Sequence, residues 1–208
     1  MSIIVALHGL PRVGKDTLAK HLIQAYGYQR VAFADALYEE LGECYELDSE
    51  LLKSHEWKTV PQDALQIWKA KDPEFRRVMR LAGHDMFEPQ TSRTIARYYA
   101  TEYRRDASRG YWLAKINWAF HAPHALTPKV ITDLRFPDEC GHLRAWASQL
   151  AQRFTVIEIT KEGSVRSEHR SDMRLDDAID ISIENRQGEP ELMFIAAARH
   201  IRKIVTGD

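Results

Sequence analysis

The chain predicts an α/β fold: a doubly wound, five-stranded parallel sheet with a mostly helical insertion after the second strand. Three observations carry this. Short runs rich in β-branched residues alternate with helical patterns along much of the chain, as βαβ units do. The first run, I-I-V-A-L at residues 3–7, leads through His8 into a glycine-bearing turn and then an amphipathic stretch. One long segment, residues 36–123, holds no convincing strand.

Taken in order, Ile3–Leu7 is a buried strand. Asp16–Tyr26 follows as a helix, with Leu18, Leu22 and Ile23 making an apolar stripe that packs on a sheet. Tyr28–Ala34 alternates and reads as the second strand. Lys129–Phe136, Phe154–Thr160 and Ala178–Glu184 read as the third, fourth and fifth. Asp138–Gln152 and Pro190–Val205 carry helical patterns beside them. Strands joined this way pair in parallel through right-handed crossovers. Inside 36–123, helical stretches fall near Leu37–Leu41, Ala64–Trp68, Glu74–Met86, Ser92–Asp106 and Tyr111–Ala122, with breaks at Pro61, Pro73, Pro89 and Pro123. The expectation is one domain, 1–208, with 36–123 as its insertion.

The turn after the first strand is G-L-P-R-V-G-K-D-T, Gly9 to Thr17. Gly, four residues, then Gly-Lys is the spacing of a phosphate-binding loop. It departs from the usual pattern, because Asp16 stands between Lys15 and Thr17. The physics of such a loop is specific. Gly9 lets the backbone turn and Gly14 lets it pass close to a phosphate. The amides along Pro11, Arg12, Val13 and Gly14 (proline excepted) then form an anion nest. The helix opening at Lys15 adds unpaired N–H groups and the positive end of its dipole. Lys15 places a mobile charge on the outer phosphates.

Bulk composition sets limits. The chain has 208 residues, 44% hydrophobic and 28% charged, enough to bury a core. A net charge of −1 gives no global field for nucleic acid or an anionic membrane. Cys44 and Cys140 are the two cysteines, with no CxxC, so neither a disulfide framework nor a zinc site is expected. That and the absence of a signal-like start fit the cytoplasm. No apolar run approaches the roughly 18 residues a membrane span needs. No nucleic-acid-binding motif is present.

Further chemistry clusters elsewhere. In V-I-T-D-L-R-F-P-D-E, residues 130–139, Asp133 and Arg135 stand two apart near a strand's carboxyl end. Open α/β sheets bind ligands at that edge. Asp133 could hold magnesium and Arg135 grip a phosphate; the alternative is an Asp–Arg pair that only caps the strand. Residues 161–176 carry Arg166, Arg170 and Arg174 at four-residue spacing, either a basic lid over the loop or a solvated segment whose charges pair among themselves. The insertion is rich in arginine and aromatics; Arg80, Arg104 and Trp112 are its candidate acceptor contacts, against an ordinary charged helix face. Asp35, in F-A-D-A-L, either touches an acceptor or caps the helix that follows. Asn185 and Gly188, in I-E-N-R-Q-G, make a turn that either lies against an adenine or only joins strand to helix.

Together these pieces resemble the deoxynucleoside monophosphate kinases of tailed bacteriophages, a branch of the P-loop nucleotide kinases. The resemblance rests on the loop with its Asp16, on F-A-D-A-L, on Y-W-L-A-K-I near the end of the insertion, and above all on V-I-T-D-L-R-F-P-D-E. S-E-H-R-S-D and I-E-N-R-Q-G follow in the family's order. It implies a P-loop kinase fold and ATP-dependent phosphorylation of a deoxynucleoside monophosphate with Mg²⁺. It implies ATP and magnesium contacts at Lys15, Asp16 and Thr17, acceptor-phosphate contacts at Asp133 and Arg135, and a lid bearing Arg166, Arg170 and Arg174. Family members are often homodimers. Dephospho-coenzyme A kinase and phosphomevalonate kinase, which share the architecture, and a regulatory P-loop ATPase are the competing expectations.

Overall fold

The computed structural model describes residues 2–165, 175–186 and 188–207. Five strands form one sheet: β1 (Ile3–His8), β2 (Gln29–Val31), β3 (Lys129–Ile131), β4 (Arg153–Thr160) and β5 (Ile181–Glu184). Their order is β2-β3-β1-β4-β5 and every pairing is parallel. The fold is therefore the expected doubly wound α/β sheet. The sheet places β1 at its centre, between β3 and β4, where the direction of winding reverses. All six residues of β1 are buried.

Helices cover both faces of the sheet. Ile3, Val5 and Leu7 pack with Leu18, Ala19 and Leu22 of α1 (Lys15–Tyr26). Met193 and Ala197 of the last helix, Pro190–Thr206, close the same core. The opposite face takes helix Pro137–Gln149, whose Cys140, Leu143 and Ala147 are buried and which packs on β1 and β4. Each such Leu, fully buried, contributes about 1.5–3 kcal/mol of transfer free energy.

Three strands end earlier or start later than the sequence pattern predicts, for local reasons. The second stops at Val31, because the chain enters a helix at Phe33. The third stops at Ile131 rather than Phe136. Beyond it, Glu139 accepts from the amides of Arg135 and Phe136 at 3.0 and 3.1 Å, so those donors serve the start of helix Pro137–Gln149 and not a ladder. The fifth begins at Ile181, because Asp176–Ala178 form a 3₁₀ turn. Asp180 just before it turns its carboxylate to the amide of Val156 at 2.7 Å.

Contacts divide the chain into two compact units, the sheet unit (1–32 and 116–208) and Phe33–Lys115. The second is helical: α2 (Phe33–Tyr45), α3 (Ser49–Lys53), α4 (His55–Thr59), α5 (Pro73–Leu81) and α6 (Ser92–Arg97), then a π-helix over Tyr98–Arg105 and α7, which starts at Tyr111. Leu52, Ile67, Phe75, Met79 and Ile95 form its core. Asp72 caps α5 by accepting from Glu74 and Phe75 amides, with Pro73 at the first position. A single bridge, Gln62 to Gln90, is the β pairing described there. No described helix is long and apolar enough to cross a membrane.

Candidate phosphate-binding site

The loop after β1 has the geometry its glycines require. Gly9 sits at φ 133° and Gly14 at φ 112°. A side chain at Gly9 would run into the Ile159 carbonyl, and one at Gly14 into the Asn185 amide. Arg12 also takes a positive φ, 66°, and points to solvent. Leu10 and Val13 are buried and anchor the loop between these exposed turns. Lys15 opens α1 and is only 9% exposed. Its ammonium donates to the carbonyls of Gly9 at 2.8 Å and Leu10 at 2.7 Å, across the turn of the loop.

Gly14 caps α1 and offers no side-chain acceptor, so no side chain takes up the first-turn amides from that position. The helix dipole adds positive potential there. Asp16 and Thr17 lie exposed in the first turn. An acidic residue in a first turn also suits the dipole without any ligand, so Asp16 has a structural use as well.

The neighbouring strand brings Asp133 and Arg135 to the same carboxyl edge. Burial alternates through this stretch: Thr132 and Leu134 are buried, Asp133 and Arg135 half-buried. His8, at the end of β1, fixes the segment. Its Nδ1–H donates to the Leu134 carbonyl at 3.1 Å, tying the β1 and β3 ends together. Neither His8 nor Glu139 stands out in the sequence, since their work is to hold backbone.

Asn185 follows β5 and reaches the loop itself. Its side-chain amide donates to the Val13 carbonyl at 2.8 Å, and its backbone amide to Thr160 at 2.8 Å. The side chain thus braces the phosphate loop from outside. Gly188 takes φ 83° just ahead of the last helix. Arg166, Arg170 and Arg174 lie outside the described residues.

The residues fit a magnesium ion. The Thr17 hydroxyl and the Asp16 and Asp133 carboxylates are hard oxygen donors of the type magnesium takes. Among the described residues no group of three or more His, Cys, Asp or Glu gathers to form a full cage. One or two protein ligands completed by phosphate oxygens and water is the usual magnesium arrangement at phosphate sites.

The helical unit holds its own constellation, which the sequence only half reveals. A cavity of about 470 Å³ is lined by Glu40, Cys44, Asp72, Tyr99, Arg104 and Lys115, among others. Glu40 Oε1 accepts from the Tyr111 hydroxyl and the Lys115 ammonium, each at 2.6 Å, and Oε2 from Arg104 Nε at 3.2 Å. Arg104 Nη2 donates to the Tyr99 hydroxyl at 2.7 Å. Its guanidinium lies 5.0, 4.5 and 5.1 Å from the ring centres of Tyr99, Tyr103 and Tyr111. Tyr103 donates to Asp72 at 2.7 Å. Burial, with that bond, pushes the Tyr103 hydroxyl up to about 12. The bond to Glu40 raises the Lys115 pKa, so its charge is secure at neutral pH.

The π-helix builds this cluster. In an α-helix residues 99 and 103 share a face, but 104 turns away. The i→i+5 pattern, seen in the Asp106 amide donating to the Thr101 carbonyl, widens the turn and brings Arg104 back beside both tyrosines. Of the insertion residues singled out by sequence, Arg104 alone reaches the cavity. Trp112 is 4% exposed and donates its ring N–H to the Ala100 carbonyl at 3.1 Å, a core position and not an open stacking face. Arg80 is exposed on α5 and does not line the cavity. Asp35 lies inside the first turn of α2, which starts at Phe33, so it is not that helix's cap.

No protein-family model matches the chain, and no curated protein matches it. Among solved structures, a candidate kinase from Chloroflexus aurantiacus aligns over 98% of this chain and 97% of its own, at 11% identity and a TM-score of 0.41. TT1252 from Thermus thermophilus aligns over 97% of each chain, at 18% identity and a TM-score of 0.42. Likenesses this loose say nothing about chemistry.

Proposed function

We propose that the protein transfers the γ-phosphoryl group of ATP to the phosphate of a deoxynucleoside 5′-monophosphate, giving a diphosphate and ADP. The observation that carries this reading is the loop Gly9–Thr17 at the carboxyl end of the central strand. There Lys15 is folded onto a glycine turn, and Asp133 and Arg135 follow just beyond the end of the adjacent strand. Strand, glycine turn and helix are the context that gives a Gly-x₄-Gly-Lys spacing its meaning.

The chemistry asks little covalent work of the protein. An acceptor phosphate oxygen attacks the γ-phosphorus, the bond from that phosphorus to the β-bridging oxygen breaks, and ADP leaves with the electron pair. Catalysis is alignment plus compensation of charge. Loop amides and Lys15 hold the donor phosphates, and Arg135 grips the acceptor phosphate in a bidentate fork. A magnesium ion held by Thr17, with Asp16 or Asp133, would neutralise phosphate charge. The acceptor is already an anion, so no strong general base is needed. Asp16 is better suited to orienting than to proton transfer.

The test is ADP release from ATP–Mg²⁺, coupled to NADH oxidation, with dGMP, dTMP, dCMP, dAMP and GMP added singly. One or more deoxynucleotides should stimulate turnover strongly, and Lys15→Ala should abolish it while leaving the fold intact. No stimulation despite tight ATP binding would overturn the reading in favour of a non-nucleotide acceptor or a regulatory ATPase. Full activity in Lys15→Ala would remove the loop from the mechanism.

A further inference from the structure

We infer that the cavity of the helical unit reads guanine, with Glu40 taking the N1–H and N2–H₂ donors of the base and Lys115 moving onto its O6. The inference rests on the nucleotide-kinase reading and names the base.

The hydrogen-bond count of Glu40 leads to it. An ionised carboxylate offers about four acceptor positions, two on each oxygen. Tyr111 and Lys115 hold Oε1, while Arg104 holds Oε2. The Tyr99 hydroxyl stands 3.5 Å from Oε2, beyond a good bond. Arg104 is fixed by three tyrosine rings and Tyr111 by its own bond. Lys115 is the partner best able to leave: beside Glu40 it meets one ring, that of Tyr111 at 5.2 Å, and its side chain is 41% exposed, against 13% for Glu40. Oε2 already has a position open, and when Lys115 swings away one opens on Oε1 as well, so each oxygen can take one donor. Among the bases, guanine alone presents two adjacent donors on its pairing edge, and its carbonyl stands next to them. Adenine, cytosine and thymine each give the carboxylate one donor there.

Other features agree. The volume, about 470 Å³, falls within the usual range of small-ligand sites. Tyr111, half-buried, lines the cavity and supplies aromatic surface beside the base. The π-helix, a geometry that recurs at functional sites, is what holds Arg104 against Glu40.

The experiment is calorimetric titration of the full chain with dGMP, dIMP, dAMP, dTMP and dCMP. Deoxyinosine monophosphate keeps O6 and N1–H but lacks the N2 amine. A well-made bidentate contact discriminates by roughly ten-fold or more, so dGMP should bind at least that much tighter than dAMP, dTMP and dCMP, with dIMP between. In Glu40→Gln, one carboxylate acceptor becomes a donor. The gap between dGMP and dIMP should close, while ATP affinity holds and an unchanged far-UV circular dichroism spectrum and unfolding transition show the helical unit intact. Lys115→Met, at the rim, should weaken dGMP and dIMP equally and keep their gap. Equal binding of dGMP and dIMP to the wild type, or a gap that survives Glu40→Gln, overturns the inference. Indiscriminate stimulation of ADP release by all monophosphates would leave the kinase standing and remove guanine reading. The expected ranking without turnover would leave the cavity standing and remove the kinase.

Discussion

Gly14→Ala tests whether the phosphate loop and Asn185 form one unit. The methyl group meets two obstacles. Gly14 sits at φ 112°, which a residue with a β-carbon adopts at a cost of about 1–3 kcal/mol. The new carbon also lands on the Asn185 amide and must push it off the Val13 carbonyl, losing a 2.8 Å hydrogen bond worth about 1 kcal/mol. Asn185→Ala alone loses only that bond, again about 1 kcal/mol. The double variant loses the bond once and has no amide in the way. Its destabilisation should therefore fall short of the sum of the singles by about 1 kcal/mol, beyond the few tenths expected of independent sites. The assay is urea unfolding of wild type, both singles and the double, with ATP titrations on each. Both Gly14 variants should also lose ATP affinity, since the loop's amides turn with the backbone. Strict additivity would refute the reasoning, because it would mean that the methyl group and Asn185 never compete for the same space.

Three further outcomes follow from the geometry. Arg135→Ala should raise the acceptor KM or lower kcat at unchanged ATP affinity; unchanged kinetics would return Arg135 to capping the strand end. Lys129→Met should destabilise the sheet unit by about 2–4 kcal/mol in chemical denaturation, since it strands three carbonyls, those of His124, Ala125 and Thr127, now held at 2.8, 3.1 and 2.7 Å. His200 sits against Thr155 at 2.9 Å, and burial, aided by Lys203 and opposed by Asp180, lowers its pKa below the ordinary 6.5. The unfolded chain then binds the proton more readily, so stability should fall as pH drops below 6.5. His200→Gln should flatten that part of the pH–stability curve, and an unchanged slope would show that His200 does not set it.

The sheet was legible because burial leaves a mark in composition. Ile3–Leu7 and Phe154–Thr160 lie inside a parallel sheet covered on both faces, so their residues are apolar or β-branched almost throughout. The strand ends were not legible. Thr132 to Phe136 keep the alternation of a strand, yet Glu139 takes two of their amides for a helix start. That competition is decided by a side chain further along the chain, which a short window cannot weigh. The phosphate loop was readable because its glycines answer to backbone geometry, and both adopt positive φ. Asn185 was visible as a turn residue, but its bond to Val13 spans 172 positions and only folding creates it.

The helical unit shows the deeper limit. Its arginines and aromatics are plain in the sequence, but choosing among them needs the face each one shares. Helical periodicity groups residue 99 with 103 and sends 104 elsewhere. The π-helix breaks that rule, and its cause is itself tertiary. Arg104 gains Glu40, the Tyr99 hydroxyl and three aromatic faces only by joining residues 99 and 103. These charge-assisted and cation–π contacts, each on the order of 0.5–3 kcal/mol, can outweigh the poorer backbone geometry of eight π-helical residues. Trp112 errs the other way. A tryptophan among arginines suggests a stacking platform, yet its ring N–H finds a backbone carbonyl and the ring is more stable inside. The inferred guanine contact therefore rests on the residues least conspicuous in the sequence, Glu40 and Lys115, whose spacing of 75 positions carries no signal until the helices fold around them.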